Sequence, residues 1–180
     1  MPKTRPILTK EEKAEEILAA AESRLRDGGY EALSVASIAR ELGVAQNSVY
    51  WYFPSKDHLL VATLERMMRG IAERKPSRST GTIERVLWFT DQFEVLSGLR
   101  GAMRERARSS KVVADFVNRL EELLSRMLSN VFREHVPDEN LSLAVESFRA
   151  TVEGTFVKGL SKRERRRVLT FALERLLEPT

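Results

Sequence analysis

The chain has 180 residues, of which 42% are hydrophobic and 31% are charged, a composition that predicts a globular protein and excludes a disordered one. It has no cysteine, which excludes disulfides and thiolate metal sites. The net charge of +4 permits a nucleic-acid partner, but the charge alone does not indicate one.

The sequence predicts a cytoplasmic protein that does not enter a membrane. No apolar run reaches the length of about 18 residues that a spanning helix needs. The N-terminus, MPKTRPILTKEE, has no hydrophobic core of the kind that signal peptides carry. The lack of cysteine is consistent with a reducing compartment.

Two amphipathic helices are predicted before Gly43. The first begins after Thr9, which forms a capping box with Glu12, and ends at Asp27-Gly28-Gly29. The second follows Ser34, a good N-cap, and stops at Gly43 after about two turns. Because glycine permits a tight turn, the second helix and the next short one have the geometry of a helix-turn-helix unit.

The segment VAQNSVYWYFPSK, residues 44–56, predicts a third short helix with four consecutive aromatic residues. Val49 and Phe53 are four residues apart and continue the apolar face of the second helix, so they are expected to point inward. Asn and Gln pair bidentately with adenine in the major groove, and a tyrosine hydroxyl can donate to a phosphate. The residues of this helix that we expect to face DNA are Gln46, Asn47, Ser48, Tyr50, Trp51 and Tyr52.

A purely structural role is the alternative for the aromatic residues, which would then form a hydrophobic plug beneath the first helix. Trp51 fits either role, because indole rings are common in protein cores. The same choice exists at Lys56, which is expected in the first turn of a fourth helix capped by Ser55. A bound phosphate would offset the unfavourable interaction between the lysine cation and the positive end of the helix, whereas Asp57 would offset it without a ligand.

Residues 28–60, GGYEALSVASIARELGVAQNSVYWYFPSKDHLL, resemble the DNA-binding region of the tetracycline-repressor (TetR) family. Two positions depart from the family pattern: Ala45 stands where Ser or Thr is frequent, and Asn47 replaces a frequent glycine. The matching features are Ser34, Ile38-Ala39, Gly43-Val44, Tyr50-x-Tyr52-Phe53 and Ser55-Lys56.

This resemblance, which covers about residues 10–65, implies a role for each matching position. The basic residues Lys3, Arg5 and Lys10 would form an arm toward a DNA groove, or else a disordered charged start. Phosphate contacts are implied for Ser34, base contacts for Gln46 and Asn47, and contacts to the DNA backbone for Tyr50, Tyr52 and Lys56.

The rest of the chain is predicted to be helical as well. The segment KPSRSTG, residues 75–81, is the best candidate boundary. Helices are expected over about 83–96, around Met103, in a long segment that ends at Pro137, over 139–158 and over 162–177. A break is expected at Ser97-Gly98. The predicted fold is all-α, with a three-helix helix-turn-helix DNA-binding domain over 1–55, a connecting helix over 56–74 and a helical bundle for ligand binding and dimerisation over 75–180.

The resemblance implies that residues 82–180 bind an effector and dimerise. The last two helices form a hairpin that would pair with its copy in a four-helix bundle, unless the monomer core consumes both apolar faces. A ligand there would be apolar or amphipathic. Plain core packing is the alternative at each position of the candidate lining. The candidate lining residues are Trp88, Phe93, Met103, Phe116, Leu120, Met127, Phe148 and Val152.

Two basic runs, residues 100–111 and KRERRR at 162–167, are interpreted as solvated faces and not as a second nucleic-acid site. No catalytic residue, metal site or cofactor is predicted. His58 and His135 are far apart in the sequence and lack ligand-spaced neighbours. There is no glycine-rich phosphate loop and no nucleophile elbow.

The sequence therefore predicts a transcriptional regulator, a repressor, and not an enzyme. It would bind a palindromic double-stranded DNA operator as a homodimer and be released by a small apolar or amphipathic effector. One alternative is an architectural DNA-binding protein without an effector, which titration of operator binding with hydrophobic compounds would distinguish. Another is a helical protein-interaction module, which a gel shift against genomic fragments would distinguish.

Overall fold

The structure of the protein, a computed structural model, describes residues 9–77 and 79–178, apart from the side chains of residues 95–97. The basic residues Lys3 and Arg5 lie outside the described residues. Within those ranges all regular structure is helical, so the all-α prediction is confirmed. The helices are α1 Lys10–Ala32, α2 Val35–Leu42, α3 Gln46–Tyr52, α4 Lys56–Glu73, α5 Thr82–Gln92, α6 Glu94–Ala107, α7 Lys111–Phe132, α8 Asp138–Val157 and α9 Lys162–Leu177.

The predicted helix starts are confirmed by their capping hydrogen bonds. At α1 the amide of Glu12 donates to Thr9 Oγ1 at 3.2 Å, and the amide of Thr9 donates to Glu12 Oε2 at 2.7 Å. Ser161 and Glu164 form the same reciprocal pair at α9. Each box satisfies two amide groups that the first helical turn leaves without a partner.

The glycine pair at the end of α1 interrupts the helix where the sequence predicted an end. Gly28 has φ −149° and ψ 18°, and Gly29 has φ 65° and ψ −158°, neither of which is helical. The chain then forms one more turn through Ala32 before Ser34 caps α2.

The predicted break at Ser97-Gly98 is wrong. The break lies at Phe93, whose amide donates to the carbonyl groups of Phe89 and Thr90, and α6 then runs without interruption to Ala107. The short helix expected around Met103 is therefore part of α6. An isolated glycine costs a helix only about 1 kcal/mol relative to alanine, which tertiary packing readily offsets.

Contacts divide the chain into two units. Unit 1 comprises residues up to Ala72 together with Gly101–Asp115, and unit 2 comprises Glu73–Arg100 and the residues from Phe116 onward. Unit 1 thus includes α4 and a second segment that the sequence did not indicate, while the functional domain boundaries remain a prediction. Its fully buried side chains include Ile17, Leu33, Ile38, Val49, Leu59, Leu60 and Leu64.

The core of unit 2 joins α5, α7, α8 and α9. The rings of Phe132 and Phe148 meet edge to face, with centroids 5.8 Å apart. Around them lie the buried side chains of Val86, Leu87, Ala144, Val145, Leu169 and Leu173. No helix within the described residues is long and apolar enough to cross a membrane.

Two glycine-to-alanine substitutions are expected to change stability in opposite directions. Gly43 has φ 63°, so Gly43→Ala should lower the free energy of unfolding by about 1–2 kcal/mol. Gly98 is exposed and helical, and no atom lies within 4 Å of a Cβ added there. Gly98→Ala should therefore raise the free energy of unfolding by about 0.5–1 kcal/mol. Urea denaturation followed by circular dichroism measures both, and a stabilising Gly43→Ala would contradict the role of the turn.

Candidate nucleic-acid interface

The turn between α2 and α3 sets the direction of the third helix. Gly43 adopts the left-handed conformation, its amide donates to Arg40 O at 3.2 Å, and the amide of Val44 donates to Ala39 O at 2.9 Å. This pair of hydrogen bonds is the Schellman arrangement that ends many helices. It redirects the chain within two residues and allows α3 to begin at Gln46.

The inward face of α3 is apolar, as the sequence predicted. Val49 is fully buried and Phe53 is 8% exposed, so both predictions are confirmed. Ile38 and Ala39 of α2 are buried as well, and α2 and α3 pack against each other. Burial of these side chains fixes which face of the short helix remains outward.

The outward face of α3 carries polar and aromatic side chains. Gln46, Asn47 and Ser48 are exposed. Tyr50 is 39% exposed and Trp51 is 65% exposed, while Tyr52 is half-buried. The exposure of Trp51 excludes the alternative in which its ring forms a buried plug. Every residue of α3 predicted to face DNA is therefore at least partly accessible, whereas contact with DNA itself stays a prediction.

Lys10 lies beside this surface. Its ammonium nitrogen is 4.6 Å from the centroid of the Trp51 ring, and the indole also meets the Tyr52 ring edge to face at 4.8 Å. The first residue of α1 thus places a positive charge next to the end of α3. Such a cation over an exposed indole is weakly held, at about 0.5–1 kcal/mol.

Lys56 begins α4 and is half-buried against Tyr30. Its ammonium nitrogen lies 3.9 Å from the centroid of the Tyr30 ring. Ser55 caps the helix as predicted, because its hydroxyl accepts the amide of His58 at 3.2 Å. Lys56 is the first residue of α4, the end of the helix where the macrodipole favours an anion.

Asp57, the next residue, binds Arg106 through both carboxylate oxygens. Arg106 Nε donates to Oδ1 at 3.1 Å and Nη2 donates to Oδ2 at 2.6 Å. The Tyr30 hydroxyl also donates to Oδ1, at 3.0 Å. The hydrogen bond from Arg106 holds the pKa of the Asp57 carboxyl below its usual range, and burial together with the bond to Asp57 raises the pKa of Tyr30.

This network corrects the interpretation of residues 100–111 as a solvated basic face, which is wrong for Arg106. The partners are 49 positions apart, and the sequence has no local pattern that joins them. Arg106 also belongs to the segment of α6 that lies in unit 1. The ion pair therefore attaches that segment to the first turn of α4.

Ser34 has a structural role at the start of α2. Its hydroxyl accepts the amide of Ser37 at 3.3 Å, and Arg24 donates to the hydroxyl of Ser37 at 3.2 Å. The side chain is half-buried. Ser34 is thus a helix cap, and the phosphate contact implied for it stays a prediction.

The predicted ligand-binding residues are divided between the units. Met103 belongs to unit 1, and the other seven belong to unit 2. Phe148 is a core residue against Phe132, and Phe116 is also buried. The remaining five are half-buried, and Val152 packs against the unit 2 core. A shared pocket lining stays a prediction for Trp88, Phe93, Met103, Phe116, Leu120, Met127, Phe148 and Val152.

The basic run at the start of α9 is only partly a solvated face. Arg166 donates to Asp91 at 2.9 Å and to Glu84 at 2.7 Å, and Arg165 is buried. The solvated interpretation is therefore wrong for these two arginines.

The outer side of α9 borders an open depression of about 690 Å³ lined by Lys162, Arg163, Arg166, Arg167, Thr170, Phe171 and Glu174. No group of three His, Asp or Glu side chains suited to a metal occurs in the part of the chain that the structure describes.

The Asp57 carboxylate is expected to stabilise the fold in a pH-dependent manner. Because its pKa is lowered in the folded state, the stabilisation is present above about pH 3.8, the ordinary aspartate pKa, and is lost as the pH falls through the lowered value. Asp57→Asn should therefore lower the midpoint of thermal unfolding at pH 7, and its difference from the native chain should shrink below pH 3.8. Glu121→Gln, an exposed control on α7, should show no such difference. A constant difference at all pH values would contradict the ionic role.

Comparison with known proteins identifies the region that contains this interface. The family model described as bacterial regulatory proteins, tetR family, matches residues 17–63. The transcriptional repressor KstR of Rhodococcus jostii is 28% identical over 135 residues, which are 72% of this chain and 64% of the relative. The chain thus spans less than two thirds of the length of that repressor.

Solved structures share the fold. A transcriptional regulator from Rhodococcus sp. Rha1 has a TM-score of 0.75 at 18% identity, over 91% of this chain and 95% of that one. A transcriptional regulator from Saccharomonospora viridis in complex with choline has a TM-score of 0.73 at 18% identity, over 92% and 97%. The repressor and both structures are transcriptional regulators by name, in agreement with the prediction of a regulator. The helix-turn-helix geometry, the match of residues 17–63 to the tetR family model and the related repressor together support a tetR-family transcriptional regulator.

Proposed function

We propose that the protein is a DNA-binding transcriptional repressor that reads a two-fold symmetric operator as a homodimer and is released by a small molecule. The observation that carries the proposal is the division of α3 into a buried apolar face and an exposed polar one. Val49 is fully buried, whereas Gln46 and Asn47 on the same two turns are exposed. A short helix held in this way presents side chains that can reach base edges.

Lys56 and the first turn of α4 form the proposed phosphate contact. Asp57 would repel a phosphate at this place, but Arg106 neutralises it through two hydrogen bonds. The Tyr30 ring supports the amine of Lys56 from one side. A phosphate would then lie between that amine and the amide groups of the helix N-terminus.

The proposed dimer uses the outer faces of α8 and α9. Leu143 and Val157 on α8 are 67% and 78% exposed, and Phe171 on α9 is 64% exposed. Leu143, Ala150 and Val157 recur every seven residues and so share one face, with Ser147 and Gly154 between them. An uncharged exposed stripe along α8 favours a partner surface, and a two-fold operator favours a second copy.

Release by an effector requires a ligand that prefers the state with low DNA affinity. Helices α6 and α7 each contribute residues to both units, so the chain itself connects unit 2 to Arg106. A regulator of this fold is in complex with choline, which supports a small-molecule effector. If no small molecule changes operator affinity, an architectural role without an effector becomes the better description.

Selection of bound sequences from a random DNA pool tests the function, and two variants test its parts. We expect a palindromic site with half-sites about one helical turn apart.

Lys56→Ala should weaken binding to all sequences equally and reduce the salt dependence by about one unit of slope. Asn47→Ala should instead relax the preference at one position per half-site by roughly 1–3 kcal/mol.

Lys158→Ala is the matched control for Lys56, because Lys158 is an exposed lysine of unit 2. Its salt dependence should equal that of the native chain. Failure of the native chain to enrich any sequence would overturn the proposed function. A uniform loss of affinity in Asn47→Ala would overturn base reading by that residue.

The dimer surface is tested by adding a lysine at Gly154. No atom of the protomer lies within 4 Å of a Cβ added at Gly154 or at Gly101, so both Gly154→Lys and the control Gly101→Lys should fold. In the dimer, Gly154→Lys would bring two like charges into an apolar contact. We expect its dissociation constant to rise at least about tenfold, equivalent to roughly 1.4 kcal/mol, with no change in the control. Sedimentation equilibrium measures both, and a monomeric native chain or an unaffected Gly154→Lys dimer would contradict this surface.

A further inference from the structure

Arg165 is a buried cation in unit 2 that the proposed DNA contacts do not use. It lies in the second turn of α9 and is 4% exposed. Its Nη1 donates to Leu160 O at 3.1 Å, and its guanidinium carbon lies 4.4 Å from the centroid of the Phe156 ring. Its Nη2 is 3.1 Å from Glu94 Oε1, in an ion pair without hydrogen-bond geometry.

One edge of this guanidinium has no hydrogen-bond acceptor. Nε and Nη2 of Arg165 are both buried and both lack one. Two such N–H groups lie parallel and match the two oxygens of a carboxylate or phosphate. Arg106 uses the same edge, Nε and Nη2, to bind both oxygens of Asp57. Arg165 therefore keeps a two-pronged donor edge that its own chain meets only through the Glu94 ion pair, without a hydrogen bond.

The surroundings of Arg165 are apolar on one side and positive on the other. Val152 and Phe156 are four residues apart on α8, so they share one face, and the Phe156 ring meets the guanidinium. The first turn of α9 adds the positive end of the helix macrodipole. The carboxylate of Glu94 reaches Arg165, and the Glu94 side chain is 54% exposed.

We propose that Arg165 binds the oxyanion of the effector and that the effector is an apolar carboxylic acid. Its two oxygens would accept from Nε and Nη2 in place of Glu94, and its apolar body would lie along the face formed by Val152 and Phe156. This inference rests on the proposed function, because it gives the effector a chemical class. It also assigns a role to a cation that the sequence analysis interpreted as solvated.

A matched set of probes with one apolar chain tests the chemistry of the head group. The probes are decanoate, decyl phosphate, decanol and decyltrimethylammonium, with choline as a second cation, each below its critical micelle concentration. Isothermal titration calorimetry on the full chain gives the affinity of each. We expect decanoate to bind, decyl phosphate to bind more weakly, and the neutral and cationic probes not to bind. Equal binding of decanol or of either cation, or no binding of decanoate, would overturn the proposal, and tighter binding of decyl phosphate would overturn the choice of a carboxylate.

Three variants test Arg165 itself. Arg165→Lys keeps the charge but loses the two-pronged edge, so decanoate should bind at least about tenfold more weakly. Glu94→Gln removes the competing carboxylate, so decanoate should bind several-fold more tightly, an outcome that a purely structural ion pair would not produce. Arg167→Lys, an exposed control two residues along α9, should bind like the native chain. Unchanged affinity in both Arg165→Lys and Glu94→Gln would overturn the assignment.

Operator binding distinguishes this inference from the function on which it rests. A chain that enriches a palindromic DNA site but binds no decanoate retains the proposed function and loses the inference. A chain that binds decanoate through Arg165 but enriches no DNA retains the site and loses the regulatory role. Both are supported if decanoate lowers operator affinity in the native chain and not in Arg165→Lys.

Discussion

The ion pair between Asp57 and Arg106 is the contact on which the candidate DNA surface depends. Asp57 immediately follows Lys56, so an unneutralised carboxylate would oppose any phosphate at the start of α4. Arg106 occupies both carboxylate oxygens, and Tyr30 donates to one of them while its ring supports Lys56. These four side chains, from three parts of unit 1, thus carry one net positive charge at the start of α4, which favours an anion there.

Features that depend on neighbouring residues could be predicted from the sequence. The capping boxes at Thr9 and Ser161, the turn at Gly43 and the inward face of Val49 and Phe53 all arise within a few residues, and the structure confirms them. The helix-turn-helix unit is made almost wholly of such local features, which is why a pattern over about 30 residues can identify it. The break between α5 and α6 could not be placed, because neither Phe93 nor Gly98 has a local signal strong enough to decide between them.

Contacts between distant residues account for what could not be predicted. Arg106 and Arg165 both lie in basic runs, and nothing nearby in the sequence distinguishes them from exposed arginines such as Arg167. Their contacts are with Asp57, Glu94 and Phe156, each of which lies on a different helix from the arginine it contacts. The interior of a protein tolerates an arginine side chain only where folding brings such partners close to it. The charge pattern of the sequence alone therefore cannot separate a structural arginine from a solvated one.

Neither Arg106 nor Arg165 lies in the region that the family model matches, so the roles of these arginines must be argued from this chain alone. The family model covers residues 17–63, which include α3 and Lys56 but nothing of unit 2. Solved relatives at 18% identity share the fold of the whole chain, and one of them holds choline, a cation. Because the fold is shared at such low identity, the shape of the bundle does not determine the charge of the effector that we propose. That charge depends on individual buried side chains, and in unit 2 the guanidinium of Arg165, with two donors lacking acceptors, favours an anion over a cation.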